Sequence, residues 1–213
     1  VKKRALVLGG GSVDVSWALE FLKDREYTMV ICADGGLVHA DQLGIRPDVL
    51  LGDFDSAPEA VLAKYSNVER IGFPPEKDYT DMHLALEEAV KRGAECIDCV
   101  GATGTRLDHT LVNIDLLSAG EKTGVPITIY DAHNRIRFCS SRLSICKEEQ
   151  YGKYVSILPF SETAEVSLSG MKYPLTHKSI RRGRSLTVSN EIAGEEGVIE
   201  VFSGAVLVFE TRD

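Results

Sequence analysis

"CIDCVGATGTRLDH", residues 96–109, joins three textures in one short stretch. An apolar run opens it, a glycine-broken polar loop follows, and from Leu107 apolar residues recur at helical spacing through Leu111, Ile114 and Leu117. That order reads as a strand over residues 96–100, a loop and a helix. The pattern recurs along the first two-thirds of the chain. Further strands are expected at residues 4–8, 28–32, 48–51, 68–71 and 126–130. Two more helical stripes lie between them: Val13, Trp17, Ala18, Phe21 and Leu22, then Met82, Ala85, Leu86, Ala89 and Val90. Strand–helix alternation with few hairpin signals predicts an open, mostly parallel sheet with helices on both faces.

After about Ala132 the texture changes. "RIRFC", "KYVSILPF", "AEVSLSG", "SLTVSN" and "GVIEVFSGAVLVFE" alternate in short runs with no helical stripe between them. Ser203-Gly204, between two apolar runs, is a hairpin signal. The chain is therefore read as an α/β domain over residues 1–132 followed by an all-β sandwich domain over residues 133–213.

Composition narrows the function classes. The 213 residues carry 24 Lys and Arg against 32 Asp and Glu, a formal charge of −8. The acids are scattered, which suits solubility, and no basic face offers itself to nucleic acid. No apolar run approaches the ~20 residues of a membrane span, and the start "VKKRALVLGGG" lacks the length and cleavage site of a signal peptide. Five unevenly spaced cysteines suggest reduced thiols and a cytoplasmic protein. Cys96 and Cys99 do form a C-x-x-C, but inside a strand rather than at the helix start that redox chemistry uses, and no second pair completes a zinc site.

The polar clusters of the first domain fall at equivalent places. "GGGS" follows the first strand, "ADGG" (with Asp34, Gly35 and Gly36) the second, "GDFDS" the third and "GATGTRLDH" the fifth. In an open parallel sheet those are carboxyl-end loops, where a ligand crevice opens. Asp53 and Asp55 sit on one side of an extended chain; at ~5 Å and an effective dielectric of about 20 their repulsion is roughly 3 kcal/mol. A divalent cation is the simplest relief, and magnesium is typically held by one or two carboxylates plus substrate phosphates. "PPEKDYTDMHLAL" adds Asp81 as a third acid and Lys77 as a cation; Asp78 or Thr80 also suits a helix N-cap, and Asp81 a first-turn acid. Gly101 and Gly104 allow a close backbone approach to a ligand, Arg106 offers a planar fork to phosphate, and Asp108 would orient Arg106 or accept a proton. His109 is as well suited to a helix start as to a site. These are the parts of a phosphoryl-transfer site.

Common nucleotide signatures are absent. G-x-x-x-x-G-K-[ST] does not occur, and Asp14 stands where a dinucleotide fingerprint has its third glycine. "DFDSA" is similar to the D-x-D-x-[TV] loop of haloacid-dehalogenase-like phosphatases, with Asp53 as nucleophile, but Ala57 stands at the fifth position and the loop follows the third strand rather than the first.

The ordered set "ADGG", "LGDFDS", "PPEKDYTDMHLAL", "GATGTRLDHTLVNI", "GMKYPL" and "VSNE" closely resembles the bacterial thiamine pyrophosphokinases, from about Ala33 to the C-terminus. That resemblance implies transfer of a pyrophosphoryl group from ATP to the hydroxyl of thiamine, with release of AMP. It implies a homodimer with active sites between subunits, Asp53, Asp55 and Asp81 as magnesium ligands, and a nucleotide set of Lys77, Asp78, Thr80, Gly101, Gly104 and Arg106 with the "ADGG" residues Asp34, Gly35 and Gly36 nearby. It implies that Ser189 and Asn190 contact the thiamine pyrimidine; from the residues alone that pair also suits a turn. Tyr173 lies in "GMKYPL" without an assigned role. A phosphatase forming an aspartyl phosphate on Asp53 and a non-catalytic nucleotide or thiamine-phosphate sensor are the alternatives.

Overall fold

The computed structural model describes residues 2–53, 57–72 and 78–213. The chain divides into two compact units, Val1–Ala132 and His133–Asp213.

The first unit runs β1 (Arg4–Leu8), α1 (Val15–Lys23), β2 (Met29–Ala33), α2 (Gly36–Leu43), β3 (Val49–Gly52), α3 (Glu59–Lys64), β4 (Glu69–Gly72), α4 (Asp81–Lys91), β5 (Cys96–Val100), α5 (Leu107–Asp115), α6 (Ala119–Thr123) and β6 (Ile127–Tyr130). Its strands pair in the order β4-β3-β2-β1-β5-β6, every pairing parallel. The inner strands are apolar and buried almost end to end, as "RALVL" and "VLLG" show, because helices cover a parallel sheet on both faces. Helices α1, α2 and α3 pack side by side, while α4 crosses β1, β2 and β3. Right-handed connections on either side of a reversal in strand order place the two groups on opposite faces. Helix starts are built locally: Asp14 accepts from the Trp17 amide at 2.9 Å, and Thr80 accepts from the His83 amide at 3.3 Å.

The second unit has β7 (Asn134–Cys139), β8 (Arg142–Cys146), β9 (Tyr154–Pro159), β10 (Thr163–Ser169), β11 (Leu175–Arg181), β12 (Glu196–Ser203) and β13 (Val206–Thr211). The order β7-β13-β9 forms one antiparallel group and β11-β10-β12-β8 a second. Val155, Ile157, Val206 and Val208 from the first meet Val166, Leu168, Ile199 and Val201 from the second in one core. The α/β-then-antiparallel fold class expected from the sequence is the one observed.

Three details differ from the sequence reading. Ser203-Gly204 does not close a hairpin: β12 and β13 flank it but belong to different sheets, so the segment carries the chain across the sandwich. "SLTVSN" is not a strand. Its backbone-to-backbone bonds to β9 are Ile157 N to Thr187 O at 2.9 Å and the Val155–Asn190 pair at 2.8 and 3.0 Å, with Ser189 in a left-handed conformation (φ 58°) interrupting the pleat. The third helical stripe is mostly uncovered, with Leu107 70% and Leu111 63% exposed and only Leu117 buried. Strands β8 and β11 and helices α2 and α3 went unread because their polar residues blur the period.

Candidate active site

The strand order reverses between β1 and β5, and in sheets of this kind ligands bind where the order reverses. A cavity of about 450 Å³ lies there, at the carboxyl ends of the strands. Its floor is two glycine loops, Gly9–Ser12 after β1 and Gly101–Arg106 after β5. They are laced together by Gly9 N to Val100 O at 2.8 Å, Gly11 N to Gly101 O at 2.8 Å and Ser12 N to Thr103 O at 2.7 Å. Contact is so close that a Cβ on Gly101, whose φ is +71°, would lie 2.3 Å from the Gly9 carbonyl oxygen. The missing side chain at Gly101 is thus spent on the neighbouring loop. A Cβ on Gly104 would likewise lie 3.0 Å from the Ser12 amide.

The acids come from the other walls. Asp53 is exposed just past β3, and Asp81 is the first residue of α4 and lines the cavity. Asp81 and Asp34 close on Gly52, the residue before Asp53: a Cβ there would lie 3.2 Å from Asp81 Oδ1 and 3.2 Å from the Asp34 Cα. Asp34 also lines the cavity, adopts φ 47°, and donates its N–H to Leu51 O at 2.8 Å, which ties the ends of β2 and β3 together. Gly35 and Gly36 turn the chain into α2, and Gly36 lets that helix touch β1, since a Cβ would sit 1.9 Å from Leu8 O. Thr80 lines the cavity while capping α4, and Asp78 is exposed two residues before it. Asp55 and Lys77 lie outside the described residues. Among the described residues no group of three acid, imidazole or thiol side chains closes on a single point.

Arg106 supplies positive charge at the mouth. It is the N-cap residue of α5, lines the cavity, and its side chain is 69% exposed. Its Nε and Nη2 donate to Asp108 Oδ1 and Oδ2 at 3.2 and 2.6 Å. That hydrogen-bonded pairing pulls the Asp108 carboxyl down to about 2, so it is a poor proton acceptor at neutral pH. Helix α5 also fastens the loop. Thr110 Oγ1 accepts from Gly104 N at 3.1 Å and Asn113 Nδ2 donates to Ala102 O at 2.7 Å, while Thr103 Oγ1 donates to Asp131 at 2.9 Å. His109 lines the cavity from the same helix.

In the second unit Ser189 is exposed and its N–H donates to Ser156 Oγ at 2.9 Å. Asn190 is buried, at 3% exposure. Its Oδ1 accepts from the amides of Tyr173 and Glu191 at 3.0 and 2.9 Å, and its Nδ2 donates to Tyr173 O at 2.9 Å. The amide is therefore closed around the backbone of Tyr173, a residue that is 60% exposed.

Several residues that build the cavity lie inside the stretches "GGGS" and "GATGTRLDHTLVNI" without an individual role assigned from the sequence. Thr103, Thr110, Asn113 and the glycines after β1 are found by their place at a strand end and on the first turns of a helix. Asp98, inside the strand "CIDCV", carries no sequence signal of a polar role; it is 5% exposed and accepts from Tyr27 Oη at 2.9 Å and Arg25 Nη1 at 3.2 Å, which anchors the segment after α1 to the sheet.

Comparison with known proteins places the chain among relatives. Two family models match it: "Thiamin pyrophosphokinase, catalytic domain" over residues 22–129 and "Thiamin pyrophosphokinase, vitamin B1 binding domain" over residues 140–206. The chain is 36% identical over 195 residues to the thiamine pyrophosphokinase of Bacillus subtilis (strain 168), covering 88% of this chain and 89% of that protein. It resembles the crystal structure of thiamine pyrophosphokinase from Bacillus subtilis with a TM-score of 0.88 at 31% identity, covering 99% of this chain and 100% of the other. For thiamin pyrophosphokinase from Geobacillus thermodenitrificans the TM-score is 0.86 at 33% identity, over 99% and 98% of the two chains.

Proposed function

Because the chain belongs to the thiamine pyrophosphokinase family, we propose that it transfers a pyrophosphoryl group from ATP to the hydroxyl of thiamine, giving thiamine diphosphate and AMP. The observation that carries this reading is a single cavity at the strand-order reversal whose wall includes both a carboxylate, Asp81, and a guanidinium, Arg106. Charge neutralisation and positioning, more than a strong base, are what phosphoryl transfer demands of a protein.

Asp53, Asp55 and Asp81 would hold magnesium. The donor set fits: all are hard carboxylate oxygens, and Asp81 Oδ1 lies against Gly52, the residue before Asp53. When bound, the ion would neutralise polyphosphate charge. Arg106 binds phosphate from the cavity mouth, and Asp108 aims that guanidinium rather than taking the proton. Lys77, Asp78, Thr80, Gly101 and Gly104 complete the nucleotide set, with Asp34, Gly35 and Gly36 shaping the adjoining wall. The first unit thus handles ATP. In the second, Ser189 contacts the vitamin and Asn190 holds Tyr173 in place. The protein works as a homodimer, and the uncovered Leu107 and Leu111 support an association surface. No helix among the described residues is long and apolar enough to cross a membrane, and the five cysteines are unbridged, which suits the cytoplasm.

The test is direct. Protein incubated with ATP, magnesium and thiamine should yield AMP and thiamine diphosphate in equal amounts; formation of ADP, or no product at all, would overturn the reading.

A further inference from the structure

His39 reaches the cavity without lining it. It sits half-buried on α2, held there by the buried Leu37, Ala40 and Leu43, and its Nε2 lies 2.7 Å from the carbonyl oxygen of Gly11. A carbonyl oxygen only accepts, so the ring nitrogen is the donor and carries the proton. Nδ1 faces Gln42 at 3.4 Å.

The location of this bond matters. Gly11 is part of the cavity floor, and His39 is not among the residues around the cavity. The N–H groups of Gly9, Gly11 and Ser12 are already committed to the loop after β5. At those positions the floor therefore has no spare donors to offset a carbonyl dipole turned inward. The imidazole holds the Gly11 oxygen outward, toward α2, and so removes a negative dipole end from a space meant for an anion. We propose that His39 is a positioning residue for polyphosphate: it orients the Gly11 carbonyl away from the bound nucleotide and couples the loop after β1 to α2. This rests on the reading of the cavity as the ATP site.

A dipole effect scales with ligand charge, whereas simple loosening of the floor does not. The experiment is titration calorimetry of ATP, ADP, AMP and adenosine, with magnesium and without thiamine, on wild type, His39→Leu, His39→Ala and His39→Gln. His39→Leu fills the space without a donor, so one donor-free variant remains if the alanine form fails to fold; Gln restores an N–H near the Nε2 position. The expected result is a loss of about tenfold in ATP affinity in the donor-free variants, shrinking through ADP and AMP to none for adenosine, with recovery in His39→Gln. Unchanged ATP affinity, or an equal loss for ATP and adenosine, overturns the inference alone. Failure of wild type to bind ATP overturns the nucleotide reading and the inference with it.

Discussion

Arg106 Nη2 donates to Asp108 Oδ2 at 2.6 Å, between two side chains that are 69% and 64% exposed. Each is the other's partner beside the cavity, and on the proposed function a polyphosphate entering there would compete for the same guanidinium fork.

Separate consequences follow for the two residues. Arg106→Ala should lower kcat/KM about 100-fold or more, as loss of a transition-state cation does. Asp108→Asn should cost only about threefold to tenfold, because a neutral amide still holds the fork less firmly. Steady-state kinetics on the two variants measure the difference; equal losses would show that Asp108 does more than orient.

The pH profile provides an independent check. The hydrogen bond from Arg106 depresses Asp108 from 3.8 to about 2 in the folded chain. Its contribution to stability is therefore fully present above about pH 4 and fades as pH falls toward 2. Activity between pH 6 and 9 should carry no ionisation that disappears in Asp108→Asn.

Removal of the carboxylates proposed to hold magnesium separates chemistry from folding. Asp53 is exposed, so Asp53→Ala should abolish AMP formation while shifting stability by less than about 0.5 kcal/mol. Asp81→Asn, in the first turn of α4, should raise the magnesium concentration needed for half-maximal rate. Full activity of Asp53→Ala, with an unchanged circular-dichroism spectrum, would exclude a metal role for that residue.

Gly101→Ala should be severe. The residue has φ +71° and no room before the Gly9 carbonyl, so backbone strain and overpacking coincide at about 2 kcal/mol or more. Thermal unfolding should drop by several degrees, with ATP affinity lost alongside.

Asn190→Ala removes two hydrogen bonds to the Tyr173 backbone and one from the Glu191 amide at a nearly sealed position. A destabilisation of about 2 to 3 kcal/mol is expected, with KM for thiamine raised and KM for ATP unchanged. A variant whose only change is in ATP KM would place Asn190 elsewhere in the reaction.

Local signals made most of the first unit legible. Cys96–Val100 and Arg4–Leu8 are largely apolar runs followed by glycine, and their observed bounds are those read from the sequence. Leu107 and Leu111 mislead for a physical reason: periodicity reports which residues form one face of a helix, not whether anything within the chain covers that face. Asn190 shows the same limit: from the sequence the Ser189–Asn190 pair suits a turn, and only the structure gives the amide its partners on the Tyr173 backbone.

By itself, then, the chain's order of residues determined strand–helix alternation, the change to short alternating strands near Ala132, and the rule that acids and glycines follow strands, all of which depend on near neighbours. Which strands are neighbours depends on contacts between distant residues. Only the tertiary structure put β5 beside β1, and so made one floor from Gly9 and Gly101. It alone sent β12 and β13 to different sheets and brought His39 against Gly11. Backbone hydrogen bonds and close packing decide those pairings, and neither leaves a mark at any one position of the sequence.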